Sequence, residues 1–271
     1  MTAIALTIAG SDSGGGAGIQ ADLKTFSARG VYGCSVIAAL TAQNTKAVTG
    51  IFNIDPGFVA AQIDAVFDDL KVDAVKIGML GRPEVIDVVA ERLEHWQPQW
   101  VVLDPVMVAK SGAKLLQDNA IAALRERLMP LASLITPNLP EAKLLIGDDN
   151  SASPKLGALA ARLQGLGARN VLIKGGHLEG EDSPDLLLFG GEHYRLDGPR
   201  IATRNTHGTG CTLSAAIASE LAKGQPLPSA VRTAKDYLTQ ALEAADMLEI
   251  GQGFGPVHHF HEFWSGERPT K

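Results

Sequence analysis

Two glycine-rich segments of the chain have the composition of loops whose backbone can approach a ligand closely. The first begins at Gly10 and carries five glycines in residues 10–18, directly after a short apolar run. Glycine permits positive φ and a close approach of the backbone to a ligand. The segment is not a P-loop, because no Gly-Lys-Ser/Thr follows, and Ile19 stands where a dinucleotide loop needs its third glycine. A tight strand-to-helix turn and a ligand loop of another type both stay open.

The second segment, residues 205–212, reads NTHGTGCT and precedes a run of small residues that predicts a helix over residues 210–223. A helix N-terminus has free N–H groups and a dipole that favours negative charge. The amides of Gly208, Thr209, Gly210 and Cys211 are therefore candidates to hold a transferring phosphoryl group. In that first turn the pKa of the Cys211 thiol should fall and make thiolate accessible near neutral pH. The alternative is a buried structural cysteine.

Composition narrows the function classes. With 271 residues, 45% of them hydrophobic, and no linker or repeat, we expect a single domain over residues 1–271. A net charge of −6 without a Lys/Arg cluster argues against nucleic-acid binding. Cys34 and Cys211 are too few for a disulfide framework or a zinc site. The apolar run over residues 3–9 is too short for a signal peptide or a membrane span, so we expect a cytoplasmic protein without a membrane partner.

Short apolar runs alternate with amphipathic stretches along most of the chain. This alternation predicts an α/β fold with a mainly parallel sheet and helices on both faces. Ligands of such sheets lie beyond the carboxyl ends of the strands. The predicted strands are 3–9, 36–40, 72–77, 100–103, 131–135 and 171–173, and the predicted helices are 19–29, 56–70, 83–96, 118–128, 154–167 and 210–223, the last ending at Gly224.

Four motifs, in this order along the chain, resemble the hydroxymethylpyrimidine/phosphomethylpyrimidine kinases. They are GSDSGGGAGIQADLK at 10–24, NLPE at 138–141, KGGH at 174–177 and GTGC at 208–211. The match runs from about Ile4 to the tail at 253–261, which reads GFGPVHHFH. Most relatives in the wider ribokinase-like group carry Asp where Cys211 stands, so Cys211 favours the pyrimidine kinases, although some pyridoxal kinases of this type also have cysteine there.

The resemblance implies a ribokinase-like three-layer sandwich and the cofactors ATP and Mg²⁺. It implies transfer of the γ-phosphoryl group to 4-amino-5-hydroxymethyl-2-methylpyrimidine, then to the resulting monophosphate, on the route to thiamine. The nearest alternative is a pyridoxal kinase, and an alternative of another class is a catalytically silent ligand-binding protein on the same fold. The joint presence of Lys174, Asn138, Glu141 and Cys211 argues against the silent protein. We also expect a homodimer.

The same resemblance implies which residues meet the substrate. Gln43 should hydrogen-bond the aminopyrimidine, because an amide offers a donor and an acceptor beside each other. Met79 and Val106 resemble the apolar walls that sandwich a flat ring, and Gly10 lies on the substrate side of its loop. Asp22 either reaches the substrate or is a solvated helix residue.

The resemblance also implies a metal and phosphate side. Asn138 and Glu141 should help place Mg²⁺ and its waters, while as residues alone they predict a helix N-cap with an acidic first turn, and both can hold. Asp104 follows a strand and could support the metal or the phosphates. Lys174 also follows a strand and could set a positive charge against ATP. Cys211 is the candidate base.

Three histidines in the tail could bind a metal, but no cysteine or carboxylate set accompanies them. We therefore expect that the tail packs against the protein.

Overall fold

In a computed structural model, which describes residues 2–107, 116, 118–147, 155–176, 178 and 180–264, most strands join one eight-stranded sheet. Its order is β10-β9-β8-β7-β6-β5-β1-β2, parallel from β2 to β8, with β9 and β10 antiparallel at the far edge. The strands of this sheet are β1 Ile4–Ala9, β2 Tyr32–Ile37, β5 Ala74–Ile77, β6 Trp100–Leu103, β7 Leu134–Ile135, β8 Val171–Ile173, β9 Asp185–Phe189 and β10 Glu192–Leu196. A separate antiparallel pair consists of β3 Ala39–Gln43 and β4 Val48–Asn53.

Helices cover both faces of the large sheet. One face packs against α1 Gly18–Ala28, α7 Thr209–Ala222 and α8 Leu227–Glu243. The other packs against α2 Pro56–Phe67, α3 Pro83–Trp96, α4 Asp118–Ala123 with the π-helical turn Leu124–Leu128, α5 Leu139–Ile146 and α6 Leu156–Gly165. Successive side chains of the parallel strands point to opposite faces of the sheet, so alternate residues pack into the hydrophobic core on each face. The predicted three-layer α/β architecture is confirmed.

Several predicted bounds are confirmed and others are wrong. The strands 100–103 and 171–173 and the helix 83–96 have the predicted bounds. The strand predicted over 36–40 is wrong, because β2 ends at Ile37 and the chain leaves the sheet to pair β3 with β4. The strand predicted over 131–135 is reduced to β7, because the amide of Ala132 still donates to the Leu128 carbonyl at 3.1 Å and prolongs the preceding helical turn. The start of the helix predicted at 154 lies outside the described residues.

Helix α7 carries most of the small residues near the site. Ala215, Ala216 and Ala218 are fully buried and let α7 lie close to the sheet. The helix ends at Ala222 with Lys223 as its C-cap, and Gly224 has φ +84°, as the predicted glycine stop requires. Within the described part of the chain, no helix combines the length and the apolar character needed to cross a membrane.

Candidate active site

A cavity of about 750 Å³ opens at the carboxyl ends of β1, β5, β6, β7 and β8, and the N-terminus of α7 closes one side. Parallel strands that end together bring distant parts of the chain to this edge. Of the residues singled out from the sequence, all but Asp22 line this cavity: Gly10, Gln43, Met79, Asp104, Val106, Asn138, Glu141, Lys174, Gly208, Thr209, Gly210 and Cys211.

The glycine loop after β1 is organised by Asp12, which the sequence analysis did not single out. Asp12 Oδ1 accepts a hydrogen bond from the amide of Gly14 at 2.8 Å. Its Oδ2 accepts from the amides of Gly16 and Ala17 at 3.0 and 2.8 Å, and lies 2.8 Å from His207 Nε2. Burial opposes the charge of Asp12, but these partners, His207 first, hold its pKa below the ordinary value. An aspartate within a glycine run is the signal that could have identified it.

The turn before α7 packs directly on this loop. Gly208 has φ +79°, and a Cβ there would lie 1.8 Å from the carbonyl oxygen of Gly16, so no other residue fits. No side chain caps α7 at Gly208. The amides of Gly210 and Cys211, in the first turn of this 14-residue helix, are therefore available to an anion in the cavity, while the Thr209 amide donates to the Thr206 carbonyl at 3.4 Å. The uncapped helix terminus is compatible with the phosphate site predicted for the second glycine segment, which stays a prediction.

A charged cluster faces the same helix terminus. Lys174 Nζ donates to Asp104 Oδ1 at 2.7 Å and lies 3.8 Å from Glu141 Oε2. Burial opposes the charge on Lys174, but Asp104 and Glu141 raise its pKa above the ordinary value. Burial likewise opposes ionisation of Asp104, but Lys174 and Lys76 lower its pKa. For Glu141 burial prevails and raises the pKa to about 7, against the attraction of Lys174.

Asn138 and Glu141 form the predicted N-cap of α5. The Asn138 side chain accepts from the Glu141 amide at 2.9 Å, and Glu141 Oε2 accepts from the Asn138 amide at 2.8 Å. These bonds occupy the single side-chain oxygen of Asn138 and Oε2 of Glu141, and the Met107 backbone is a further hydrogen-bond partner of Glu141. The described residues contain no group of three His, Cys, Asp or Glu side chains placed to hold a metal ion. The acidic pair Asp104 and Glu141 therefore suits Mg²⁺ that keeps its waters and the substrate phosphates as ligands, rather than a closed protein cage.

Cys211 corrects one expectation. Burial raises the pKa of its thiol to about 11, with Asp22 and Asp104 acting in the same direction. Lys76 and the amide of Gly18 act to lower it. The predicted fall of the Cys211 pKa is therefore wrong for this protein without ligands, because burial and two nearby carboxylates outweigh the position in the first turn of a helix.

Asp22 also differs from both sequence interpretations. It lies on α1 beneath the cavity, fully buried, and is neither at the cavity surface nor solvated. Its Oδ2 accepts from Thr7 Oγ1 at 2.6 Å and from Lys76 Nζ at 2.8 Å. Lys76 is fully buried on β5 yet contributes to the cavity floor, and the sequence analysis missed it. A lysine within the apolar strand AVKI was the available signal.

The two ends of the cavity differ in character. At one end the cavity is lined by Gln43, at the end of β3, together with Met79 and Val106. A Cβ on Gly10 would approach Met79 Cε to 2.5 Å, so glycine lets the Met79 side chain lie against the loop. The other end has an apolar wall that the sequence analysis did not find, formed by Pro199, Ile201, Leu213, Leu238 and Leu242.

The tail packs as predicted. His258 and His259 are buried, and His259 Nε2 lies 3.1 Å from Thr212 Oγ1 on α7. The Tyr237 hydroxyl donates to the His259 carbonyl at 2.7 Å. The tail therefore supports the helix whose N-terminus closes the site.

Comparison with known proteins gives one family. Residues 12–258 match the model of the phosphomethylpyrimidine kinase family. The chain is 58% identical over 265 residues to the hydroxymethylpyrimidine/phosphomethylpyrimidine kinase of Rhizobium meliloti, covering 97% of this chain and 99% of that protein.

Solved structures agree with this result. An ADP complex of Bacillus subtilis pyridoxal kinase is 40% identical with a TM-score of 0.88, over 96% of this chain and 98% of that one. The phosphomethylpyrimidine kinase of Clostridium difficile is 45% identical with a TM-score of 0.78, over 88% and 99%. These matches confirm the resemblance drawn from the motifs and the ribokinase-like fold. The chain belongs to the phosphomethylpyrimidine kinase family.

Proposed function

We propose that the protein transfers the γ-phosphoryl group of ATP to the hydroxyl of 4-amino-5-hydroxymethyl-2-methylpyrimidine, and then phosphorylates the monophosphate to the diphosphate, in thiamine biosynthesis. One observation carries the proposal. A single cavity holds the Gln43 amide at one end, the uncapped N-terminus of α7 and Lys174 in the middle, and an apolar wall at the other end. The name of the Rhizobium meliloti relative supports both steps.

The arrangement assigns each substrate to one end. The aminopyrimidine lies between Met79 and Val106 with its polar edge on Gln43. The nucleotide base lies against the apolar wall that includes Ile201 and Leu238, and the ADP complex of the Bacillus subtilis relative supports a nucleotide site in this fold. The acceptor hydroxyl and the phosphates then meet where the two glycine segments pack together.

Charge in the transition state is met by groups already in place. The amides of Gly210 and Cys211 donate to the phosphoryl group being transferred, and Lys174 adds a positive charge beside it. Asp104 and Glu141, with Asn138 fixing the start of α5, are placed to orient the waters of Mg²⁺. That ion would neutralise phosphate charge when bound.

Cys211 is the proposed base for the acceptor hydroxyl. With a pKa of about 11, the thiol is about one part in 10⁴ ionised at pH 7 in the free protein. Lys76 is the nearby cation that favours the thiolate. The proton of the hydroxyl passes to the Cys211 thiolate as the oxygen attacks the γ-phosphorus, and the bond from that phosphorus to the bridging oxygen breaks to release ADP. The homodimer and the cytoplasmic location stay predictions.

The test is release of ADP, measured side by side with hydroxymethylpyrimidine, its monophosphate and pyridoxal. We expect higher kcat/KM with both pyrimidines than with pyridoxal. Comparable or better turnover of pyridoxal would favour pyridoxal kinase, the candidate that the Bacillus subtilis structure supports. No ADP release with any of the three would favour the catalytically silent protein.

A further inference from the structure

The hydrogen-bond partners of the Gln43 side chain determine what this amide can offer a ligand. Gln43 Nε2 lies 3.3 Å from His207 Nε2, and Gln43 Oε1 lies 3.1 Å from Thr41 Oγ1. The backbone of Gln43 is held by Ser13, whose hydroxyl accepts from the Gln43 amide and donates to its carbonyl, both at 2.8 Å. The side chain can therefore exchange its two ends by rotating about its last bond without moving the strand.

The contact with Asp12 determines whether His207 Nε2 donates or accepts a hydrogen bond. This atom lies 2.8 Å from Asp12 Oδ2, and both residues are buried. Asp12 already accepts from three backbone amides, and its lowered pKa keeps it an ionised acceptor. His207 Nε2 must therefore carry a hydrogen toward Asp12, and a nitrogen that carries a hydrogen has no lone pair for an amide NH₂.

The Thr41 hydroxyl, in contrast, can only accept a hydrogen bond from Gln43. Its hydroxyl has a single hydrogen, and the Ser11 carbonyl at 2.8 Å is a closer acceptor than Gln43 Oε1 at 3.1 Å. Once that hydrogen goes to Ser11, Thr41 Oγ1 offers Gln43 lone pairs only. Gln43 Oε1 and Thr41 Oγ1 would then be two acceptors with no hydrogen between them. On the other side of the amide, Gln43 Nε2 and His207 Nε2 would be two donors facing each other.

Rotating the side-chain amide of Gln43 by half a turn removes both the acceptor–acceptor and the donor–donor contact. We infer that the His207–Asp12 and Thr41–Ser11 pairs set the polarity of Gln43, with its Oε1 toward His207 and its Nε2 toward Thr41. In this arrangement His207 Nε2–H donates to Oε1 as well as to Asp12, and Nε2 donates to Thr41 Oγ1. One N–H and one lone pair of the amide remain for a ligand. His207, Asp12 and Thr41 are thus positioning residues that determine specificity.

This polarity selects one way of binding the substrate, and here the inference rests on the proposed function. The remaining N–H lies on the Thr41 side and the remaining lone pair on the His207 side. A ring nitrogen acceptor is then placed near Thr41 and its neighbouring exocyclic amine near His207. In the aminopyrimidine the hydroxymethyl group is attached next to the carbon that bears the amine. It therefore points past His207 to the adjacent Gly208 turn, where the phosphoryl group is held.

The opposite polarity would turn the hydroxymethyl group away from α7. A pyridoxal ring has no such amine beside a ring acceptor, so a fixed amide would also disfavour it. The Asp12–His207 pair thereby connects substrate selection to the junction of the two glycine segments.

Polarity can be measured without activity. In ¹⁵N-labelled free protein, the side-chain NH₂ of Gln43 is assigned by its disappearance in Gln43→Leu. We expect its protons to give stronger nuclear Overhauser contacts to the Thr41 methyl than to the His207 ring. Stronger contacts to the His207 ring would overturn the inference even if the proposed function is correct.

Kinetics then test the consequence for specificity. Thr41→Val removes the acceptor at nearly constant shape, and we expect the KM for hydroxymethylpyrimidine to rise about 5- to 30-fold, with the KM for ATP changed less than about twofold. Thr41→Ser should restore most of the loss. In a Gln43→Leu background Thr41→Val should add less than about twofold, because its partner is already gone.

His207→Leu and His207→Gln form the second pair, since a glutamine amide can still donate to Asp12. His207→Leu should raise the KM for the pyrimidine, and His207→Gln should recover part of it. Equal effects of Thr41→Val with and without Gln43 would mean that Thr41 acts only on the loop, and the inference would be wrong. Wild-type protein that phosphorylates pyridoxal but not the pyrimidine would overturn the proposed function, while the nuclear Overhauser result would still decide the polarity.

Discussion

Replacing Lys76 with methionine should separate the stability of the protein from the reactivity of its cysteine. Lys76 and Asp22 are fully buried and their charged atoms lie 2.8 Å apart. Removal of one partner leaves an uncompensated charge in the interior, which typically costs about 3–5 kcal/mol. We therefore expect Lys76→Met to lower the free energy of unfolding by about that amount near pH 7.

The pH dependence of this variant follows from Asp22. Burial already raises the Asp22 pKa above 3.8 against the attraction of Lys76, and without Lys76 it should rise further. A carboxyl group with a raised pKa keeps its proton in the folded protein while the unfolded chain ionises. The stability of Lys76→Met should therefore fall as the pH rises from about 4, relative to the wild type.

The double variant Lys76→Met with Asp22→Leu is the matched control. Replacing both members of a buried pair is often neutral or stabilising, and here Thr7 loses one acceptor at a cost of about 1 kcal/mol. Unfolding free energy should return close to that of the wild type. The double variant also lacks Asp22, which raises the Cys211 pKa, so the effect of Lys76 on the thiol is measured against Asp22→Leu alone; one unit of pKa is a tenfold change in thiolate.

Urea unfolding gives the stability, and iodoacetamide alkylation across pH gives the reactivity of Cys211, in a Cys34→Ala background. We expect the double variant to fold normally and, relative to Asp22→Leu, to alkylate about tenfold more slowly at pH 8 and to lose a similar factor in kcat. Equal alkylation and turnover in the double variant and in Asp22→Leu would refute the action of Lys76 on Cys211. A wild-type unfolding midpoint for Lys76→Met would refute the energetic argument itself.

Three further predictions concern the phosphoryl end of the site and the tail behind it. Cys211→Ala should still bind ATP, as measured by equilibrium dialysis, but its kcat should fall about 10²–10⁴-fold. Cys211→Ser should be little better, and Cys211→Asp should be partly active. If Cys211→Ala keeps most of its kcat, the cysteine has only a packing role. Gly208→Ala places a Cβ 1.8 Å from the Gly16 carbonyl oxygen in a backbone with φ +79°. The variant should therefore bind ATP more weakly and have a lower midpoint of thermal unfolding. Normal ATP affinity would contradict the packing of the two glycine segments. Burial, aided by Lys24, lowers the His259 pKa to about 3, so the free energy of unfolding of the wild type should decrease as the pH falls from 6.5 toward 3. His259→Gln should lack this part of the decrease. Parallel pH profiles of the two proteins in urea unfolding would show that His259 is not buried as a neutral ring.

Local sequence determined the elements and the class of chemistry. The apolar run of β6 and the amphipathic period of α3 define their own bounds, because burial of a strand or of one helix face leaves a pattern in neighbouring residues. The same holds for the turn at Gly208, where small residues before a helix predict an anion site. Asn138 and Glu141 likewise cap α5 as their spacing predicts, since a capping box needs only four consecutive residues.

Tertiary structure decided the electrostatics and the partners within the site. No local pattern shows that Asp22 pairs with Lys76 54 positions away, or that Asp12 meets His207 195 positions away. Nor does it show that Cys211 lies, partly buried, near two carboxylates, which together with desolvation reverses the expected direction of its pKa. Such effects depend on distance and desolvation in three dimensions, and both are set by how the sheet brings the ends of separate strands together.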